Sequence, residues 1–203
     1  MILLIGLGNP GKAYEGTRHN VGREIVLAFA KKHEVNAFAP HKKIKGLVTE
    51  CKIQKENYAL VLPETFMNKS GQAAKEAKLV FKTEPEKIFV VHDDADIELG
   101  RTKLLFGRDS AGHKGVESVM RALATKDFWR FRIGIGGERP RLELDLRRRS
   151  GKKIKHVAAE SLVLKKFSPA EEALMKKVRA KTIGALGDLA NTPPEHVMNH
   201  YNK

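Results

Sequence analysis

A short apolar run that leads into a glycine-rich loop constrains the fold of this chain more than any other feature. Residues 2–5 read ILLI, and the fifteen residues from Gly6 to Asn20 read GLGNPGKAYEGTRHN, with four glycines and one proline. A strand followed by a loop rich in glycine, with the polar side chains Asn9, His19 and Asn20, is typical of a functional site at the end of a sheet. We therefore expect this loop to carry function.

The same loop matches two nucleotide-binding signatures in its letters but not in its context. Gly6, Gly8 and Gly11 fit the dinucleotide fingerprint, but no helix follows at once and no acidic residue ends a second strand where the ribose would need it. Gly6, Gly11 and Lys12 fit the P-loop, but Ala13 replaces the Ser or Thr that binds magnesium. Nucleotide binding is therefore a weak alternative.

The chain is strongly basic. It contains 38 Lys and Arg against 24 Asp and Glu, a net charge of +14. Such an excess favours a polyanionic partner, nucleic acid first, although a solvated basic surface is the ordinary alternative. The basic residues concentrate in the C-terminal third, as a face that binds a phosphate backbone would require. The densest group is Arg147, Arg148, Arg149, Lys152, Lys153 and Lys155.

Composition also indicates the compartment. No segment of the 203 residues is long and apolar enough to span a membrane, and the N-terminus lacks the features of a secretion signal. Cys51 is the single cysteine, so it cannot form an internal disulfide. We expect a cytoplasmic protein with no membrane partner.

Apolar runs and helical periods alternate along the chain, which predicts a single α/β domain over 1–203 with a central mixed sheet flanked by helices. Helical spacing begins near Val21, Ala73 and Val116, and Ser168-Pro169 opens a last long helix with a capping box. A hairpin turn is expected around Glu56-Asn57, and 138–158 is expected to be an exposed basic excursion. The predicted strands are 1–6, 46–54, 57–62, 87–93, 101–106 and 130–136.

Three loops at predicted strand ends carry polar side chains suited to hydrolysis. They are Asn9–Asn20, which contains His19, then Thr65–Ser70, and then His92–Asp94 directly after a buried strand. A histidine, a carboxylate and carboxamides that converge from separate loops can supply a base, a group that orients it, and donors to a carbonyl or water.

Each of these residues also has an ordinary explanation. His19 fits a surface histidine, Asp93 fits the end of a strand, and Asn68 fits a helix N-cap. The loop 109–115 fits a glycine-rich turn as well as a seat for a phosphate or a carbonyl oxygen at a helix start. No two of the eight histidines have a paired spacing on a predicted helix, so we expect no metal.

Together these segments resemble the bacterial peptidyl-tRNA hydrolase family in order along nearly the whole chain. The blocks TRHN and TFMN carry most of the specificity. The matching segments are GLGNPG-K-x-Y-x-x-TRHNVG at 6–22, LPETFMNKSG at 62–71, HDDADIELG at 92–100, SAGHKG at 110–115, FRIGIG at 131–136, FSPAE at 167–171 and PPEHVMNHYN at 193–202.

The resemblance implies a monomeric cytoplasmic enzyme with a twisted mixed sheet. It would hydrolyse the ester between a peptide and the 3′ ribose of tRNA, recycling tRNA from aborted translation, without metal, cofactor or covalent intermediate. His19 matches the catalytic base and Asp93 the carboxylate that orients it. Asn9 and Asn68 match carboxamides that bind the peptide and position the reacting carbonyl and water. The positions that match the walls of the substrate cleft are Tyr14, Met67 and His113.

Two departures from the family pattern stand out. Lys114 replaces the usual asparagine beside the substrate, and the basic excursion lengthens the segment after Gly136. Arg132 matches a position used for tRNA phosphates, and Lys103 is expected to share that role. We expect the excursion to extend this tRNA-binding face through Arg147, Arg148, Arg149 and Lys152. The alternative from another class is a non-catalytic RNA-binding protein on the same scaffold, which Lys114 keeps open.

Overall fold

A seven-stranded sheet lies at the centre of the computed structural model, which describes residues 1–136 and 161–203. Its strand order is β2-β3-β4-β1-β5-β7-β6. The four central strands β4, β1, β5 and β7 run parallel, and the outer pairs are antiparallel, so the predicted mixed sheet is confirmed. The strands are β1 (Ile2–Gly6), β2 (Ala39–His41), β3 (Gly46–Ile53), β4 (Glu56–Pro63), β5 (Ile88–Glu98), β6 (Thr102–Phe106) and β7 (Trp129–Gly136).

Helices cover both faces of the sheet and create two apolar cores. Along β1, Ile2 and Leu4 join the core under α1, α4 and α5, whereas Leu3 and Ile5 join the core under α2 and α3. This alternation explains the continuous apolar run, because a strand covered on both faces needs apolar side chains at every position. The helices are α1 (Val21–Lys32), α2 (Ser70–Phe81), α3 (Lys114–Leu123), α4 (Pro169–Asp188) and α5 (Pro194–Tyr201).

None of these helices, within the two described ranges, combines the length and the apolar character that crossing a bilayer requires. The predicted basic excursion at 138–158 falls outside the described residues, together with Arg147, Arg148, Arg149 and Lys152.

The structure corrects the predicted end of β5. His92, Asp93 and Asp94 were expected in a loop, but the strand continues to Glu98. Asp94 pairs with Gly134 and Glu98 pairs with Gly136, with an irregularity between them. The acidic residues are therefore held by the sheet itself, because β7 continues beside them and satisfies their backbone groups.

The predicted hairpin turn also needs correction. The hairpin turns at Gln54-Lys55, where Gln54 has a φ of 55°, and Glu56 is already paired with Ile53. A two-residue turn needs such positive φ values, whatever its composition.

Other features of the sheet and helices were not predicted. Although Phe131, Ile133 and Ile135 alternate with other residues along β7, Arg130 on the other face of this strand is only 1% exposed, so both faces are covered there. The short edge strand β2, which contains Pro40, and α5 were also not predicted.

The close approach of α1 to β5 places the glycine-rich loop beside the end of that strand. A Cβ atom on Gly22 would lie 2.1 Å from the carbonyl oxygen of Val91. Only glycine allows this distance, and the contact fixes the first turn of α1 against the last buried residues of β5. His19, three residues before Gly22, is thereby carried to Asp93.

Replacing Gly22 tests how much the fold depends on this approach. We expect Gly22→Ala to lower the free energy of unfolding by about 2 kcal/mol or more, because the added methyl group must push helix and strand apart. Gly184→Ala in α4 is the matched control, since a Cβ there meets no atom within 4 Å; alanine should stabilise that position by up to about 1 kcal/mol. Urea unfolding of both variants measures the difference in stability. A Gly22→Ala protein as stable as wild type would contradict the need for glycine where α1 approaches β5.

Candidate active site

His19 meets Asp93 of β5 just beyond the carboxyl end of the neighbouring strand β1. His19 lies in a 3₁₀ turn, Arg18–Asn20, that leads into α1. Its Nδ1 atom is 2.8 Å from Oδ1 of Asp93, whose side chain is buried at the end of the parallel sheet. The imidazole remains 13% exposed, so one edge of the ring can reach solvent or a ligand. The predicted convergence of these two residues is what the structure shows.

His113 reaches the same carboxylate oxygen from the opposite side. Its Nε2 atom is 2.8 Å from Oδ1 of Asp93, and its side chain is 8% exposed. Its Nδ1 atom caps α3 by accepting hydrogen bonds from the backbone N–H groups of Gly115 and Val116, at 3.1 and 3.2 Å. Because an N–H group can only donate, Nδ1 carries no proton, and the proton of the neutral ring is assigned to Nε2.

The two imidazoles determine the charge of Asp93. Burial alone would raise the pKa of this carboxyl, but the charge and hydrogen bonds of His113 and His19 outweigh burial and hold the pKa well below its usual range. Asp93 is therefore a carboxylate at neutral pH and accepts the Nδ1–H of His19. That bond leaves the lone pair of His19 on Nε2, the tautomer that a general base requires.

Both neighbours of His19 in the chain are anchored. The side chain of Asn20 accepts from the backbone N–H of Asn9 at 2.8 Å and donates to its carbonyl oxygen at 2.9 Å. The guanidinium of Arg18 donates to both carboxylate oxygens of Glu171 at 2.8 and 2.7 Å and stacks over Phe167 at 4.8 Å. The backbone on both sides of His19 is thus held in place.

Sequence reasoning missed the role of Arg18 and Glu171. Arg18 directly precedes His19, and Glu171 is the third residue of the recognised capping box, in which it also accepts from the N–H of Ser168. The signal was an arginine inside the TRHN block, but the identity of its partner, 153 residues away, is a property of the tertiary fold.

Asn9, Met67 and Asn68 form a second linked group. Oδ1 of Asn9 accepts from the backbone N–H of Met67 at 2.8 Å, so the amide nitrogen is the atom of Asn9 that can donate to a ligand. The Met67 side chain is buried in the core beside Gly115, where a Cβ would lie 2.4 Å from its sulfur. Asn68 is exposed within the turn Met67–Lys69, and Lys69, not Asn68, is the N-cap of α2.

Tyr14 lies against an aromatic residue that the sequence analysis did not select. Its ring meets Phe66 edge to face, with 6.5 Å between the ring centroids. Phe66 is 57% exposed, an unusual exposure for a large apolar side chain next to a buried turn. The two rings join the loop of His19 to the segment that carries Asn68.

Two of the residues predicted to bind tRNA lie on the strands next to β5 or one strand beyond it. Lys103 and Arg132 are directly opposite each other in the β6–β7 pair, so they share one face of the sheet. Arg132 forms an ion pair with Asp94, one residue beyond the orienting carboxylate, and Lys103 is exposed. Lys114 is the exposed first residue of α3, next to His113 in the chain.

The glycine-rich loop before α3 does not offer the anion seat that one interpretation of the sequence allowed. The N–H groups of Gly115 and Val116, which would have to face an anion, are occupied by the ring of His113. The first turn of α3 is closed by its own N-cap.

The cluster also fits a metal ion poorly. Ligand atoms of His19, Asp93 and His113 lie within 4.8 Å of one another. However, a metal on Nε2 of His113 would displace the proton there while Nδ1 still accepts from α3, which leaves both ring nitrogens without a proton. A neutral imidazole could satisfy only one of these bonds. The arrangement is suited to moving a proton.

Comparison with known proteins agrees with this geometry. The family model for peptidyl-tRNA hydrolase matches residues 3–203. The chain belongs to the peptidyl-tRNA hydrolase family. It is 37% identical over 201 residues to peptidyl-tRNA hydrolase of Aquifex aeolicus, covering 99% of this chain and 96% of the relative, and 36% identical to that of a Thermoanaerobacter species over the full length of both.

A solved structure gives the same result for the fold. The crystal structure of peptidyl-tRNA hydrolase from Acinetobacter baumannii superposes with a TM-score of 0.84 at 28% identity, covering all of this chain and 94% of that one. The predicted family, α/β fold and enzyme class, a hydrolase of peptidyl-tRNA, are therefore confirmed, and the non-catalytic alternative is not favoured.

His92 supports the site from beneath in this member of the peptidyl-tRNA hydrolase family. Its ring is fully buried, donates from Nδ1 to the carbonyl oxygen of Asp93 at 2.7 Å, and packs edge-on against His113 at 4.7 Å. Burial first, and then the nearby His113, lower the pKa of His92 well below its ordinary value.

This buried histidine makes stability depend on pH. Below about pH 6.5 the unfolded chain protonates His92 and the native state does not, so the free energy of unfolding falls as the pH falls, by about 1.4 kcal/mol per pH unit from this group. We expect His92→Asn, whose amide can keep the Nδ1 hydrogen bond, to remove that part of the slope. Urea unfolding between pH 7 and 5 measures this slope, and His200→Asn, at an exposed position of α5, is the control. An unchanged slope in His92→Asn would refute the neutral, buried state.

Proposed function

We propose that this chain hydrolyses the ester between a peptide and the 3′ ribose of tRNA with water activated by His19. One observation carries the proposal: His19 donates through Nδ1 to a buried carboxylate and keeps the lone pair of Nε2 on its accessible edge. Nε2 takes a proton from water, and the resulting hydroxide attacks the ester carbonyl. The proton then passes from the imidazolium to the departing 3′ oxygen, so the base is regenerated.

Carboxamides supply the electrostatic part of the reaction. Asn9 is bonded to the backbone N–H of Met67 and to Asn20, which follows His19, and the exposed Asn68 follows Met67 in the chain. Donors aimed at the developing oxyanion contribute roughly 3 kcal/mol each in hydrolases. An ester is already activated, so a base, a fixed carboxylate and such donors suffice. Asp93 would meanwhile stabilise the imidazolium without taking its proton.

The peptide and the end of the tRNA would bind in the cleft around these residues. Tyr14 and the exposed Phe66 offer an aromatic surface on one side, with Met67 behind it. His113 and Lys114 form the other side at the start of α3. Lys114 adds a positive charge where the family usually has an asparagine, which favours a phosphate of the substrate as its ligand.

A basic face would bind the rest of the tRNA. Lys103 and Arg132 lie together beside the site. Before the excursion, Gly136 ends β7, and beyond it Lys166 bridges to Thr17, two residues before His19. The charges of Arg147, Arg148, Arg149 and Lys152 would add to the attraction for tRNA phosphates.

We propose further that the enzyme acts as a cytoplasmic monomer, with peptidyl-tRNA as its partner. The single cysteine, Cys51, lies half-buried in β3, where burial raises the pKa of its thiol and keeps it unreactive. The alternative, an RNA-binding protein that has lost its chemistry, would not need the bond between His19 and Asp93 or the anchors on both sides of His19.

Removing the base should abolish turnover. We expect His19→Ala to lose at least about a hundredfold in kcat, because general-base catalysis contributes that much or more, while the protein stays folded. Peptide release from an N-blocked aminoacyl-tRNA measures the rate, and thermal melting checks the fold. His200→Ala, at an exposed position of α5, is the control and should retain full activity. A folded His19→Ala enzyme with wild-type turnover would rule out the assignment.

Neutralising the excursion should reduce the salt dependence of tRNA binding. With Arg147, Arg148, Arg149 and Lys152 changed to glutamine, we expect the slope of log K against log salt to fall by about 0.7–0.9 for each phosphate that the protein no longer neutralises. Neutralising four exposed lysines at the opposite end of the sheet, Lys31, Lys32, Lys52 and Lys55, is the control and should change it less. Equal effects of the two sets would remove the excursion from the binding face.

A further inference from the structure

One oxygen of Asp93 accepts hydrogen bonds from both histidines of the site. Oδ1 is 2.8 Å from Nδ1 of His19 and 2.8 Å from Nε2 of His113. The two rings are 5.1 Å apart between centroids and inclined by 50°, so they approach the oxygen from different directions. A carboxylate oxygen has two lone pairs, and both are occupied here.

The direction of the second bond is fixed by α3. The N–H groups of Gly115 and Val116 hold Nδ1 of His113 as an acceptor, so Nε2 must donate. The ring therefore has one edge bound to the backbone of a helix and the other to Asp93, with 8% of the side chain exposed. It has no unused nitrogen with which to bind a substrate.

We infer that His113 is a positioning residue for this reaction: its ring lines the cleft, but it acts through Asp93, by fixing the oxygen that orients His19, and forms no hydrogen bond to the substrate. The inference rests on the proposed function, in which His19 is the base. In this arrangement the first turn of α3 holds His113, and His113 sets the orientation of the Asp93 carboxylate.

The shared oxygen fixes the direction in which Asp93 accepts from His19. Without the donor of His113 the carboxylate would be held from one side only, and the ring of His19 would lose its alignment.

Other charged groups surround this pair. His92 on β5 packs against the ring of His113, Arg130 on β7 lies behind His92, and Lys114 follows His113 in the chain. Arg18, on the side of His19, is paired with Glu171. His92 touches the ring of His113, so its surroundings change when position 113 is varied, whereas the ion pair of Arg18 with Glu171 involves neither residue.

Two substitutions separate the cap from the bond to Asp93. Asparagine and serine are good N-cap residues but are too short to reach Asp93. Alanine can neither cap α3 nor reach Asp93. We expect His113→Asn and His113→Ser to melt near the wild-type temperature and His113→Ala to melt about 2–4 °C lower. All three should show kcat reduced about tenfold by misalignment of the base, with KM for peptidyl-tRNA unchanged.

The closing experiment reads the tautomer of His113 directly. Imidazole ¹⁵N NMR of the wild-type protein should show His113 as the neutral Nε2–H tautomer, because its Nδ1 accepts from α3. A raised KM at unchanged kcat in the three variants, or an Nδ1–H tautomer of His113, would each overturn the inference. Absence of turnover in wild type, with the NMR signature intact, would refute the proposed function and leave the positioning of His19 standing.

Discussion

The hydrogen bonds to Oδ1 of Asp93 are the interaction on which the site depends. A buried carboxylate without donors would be neutral or would destabilise the fold, since burial disfavours the charged form. Two imidazoles reverse this balance at Asp93 and are themselves oriented by it. His19, Asp93 and His113 are therefore one hydrogen-bonded unit, in which the N-cap of α3 fixes His113, His113 fixes Asp93, and Asp93 orients His19.

Backbone contacts bring that unit together. The sheet carries Asp93 on a strand that continues to Glu98, and the absence of a side chain on Gly22 lets α1 reach the carbonyl oxygen of Val91. On the other side, Met67 packs against Gly115 at the start of α3 and gives its N–H to Asn9. The side chains that do chemistry are thus attached to elements that cannot slide past one another, which is the preorganisation that hydrolysis by a single base requires.

The sequence was sufficient to predict the parts of the fold and site that are specified by residues close together in the chain. Continuous apolar runs predicted the central strands, Ser168-Pro169 with Glu171 predicted the start of α4, and the polar loops predicted the meeting of His19 with Asp93. Residues whose state depends on distant neighbours were not predictable. Arg130 is buried and donates to the carbonyl oxygen of Asp109 in the loop before α3, and His113 caps a helix although N-caps are usually Ser, Thr, Asp or Asn. The hairpin was placed two residues late because a positive φ at Gln54 leaves no trace in composition.

The ion pair between Arg18 and Glu171 has a consequence for the order in which the enzyme is made. Its two residues are separated by 153 positions, and the bridge between Thr17 and Lys166 spans almost as many. A ribosome synthesises Arg18 early and Glu171 late, so the loop of His19 gains this anchor only when most of the chain has emerged. While the nascent protein is itself attached to tRNA, the support of its own catalytic base is incomplete.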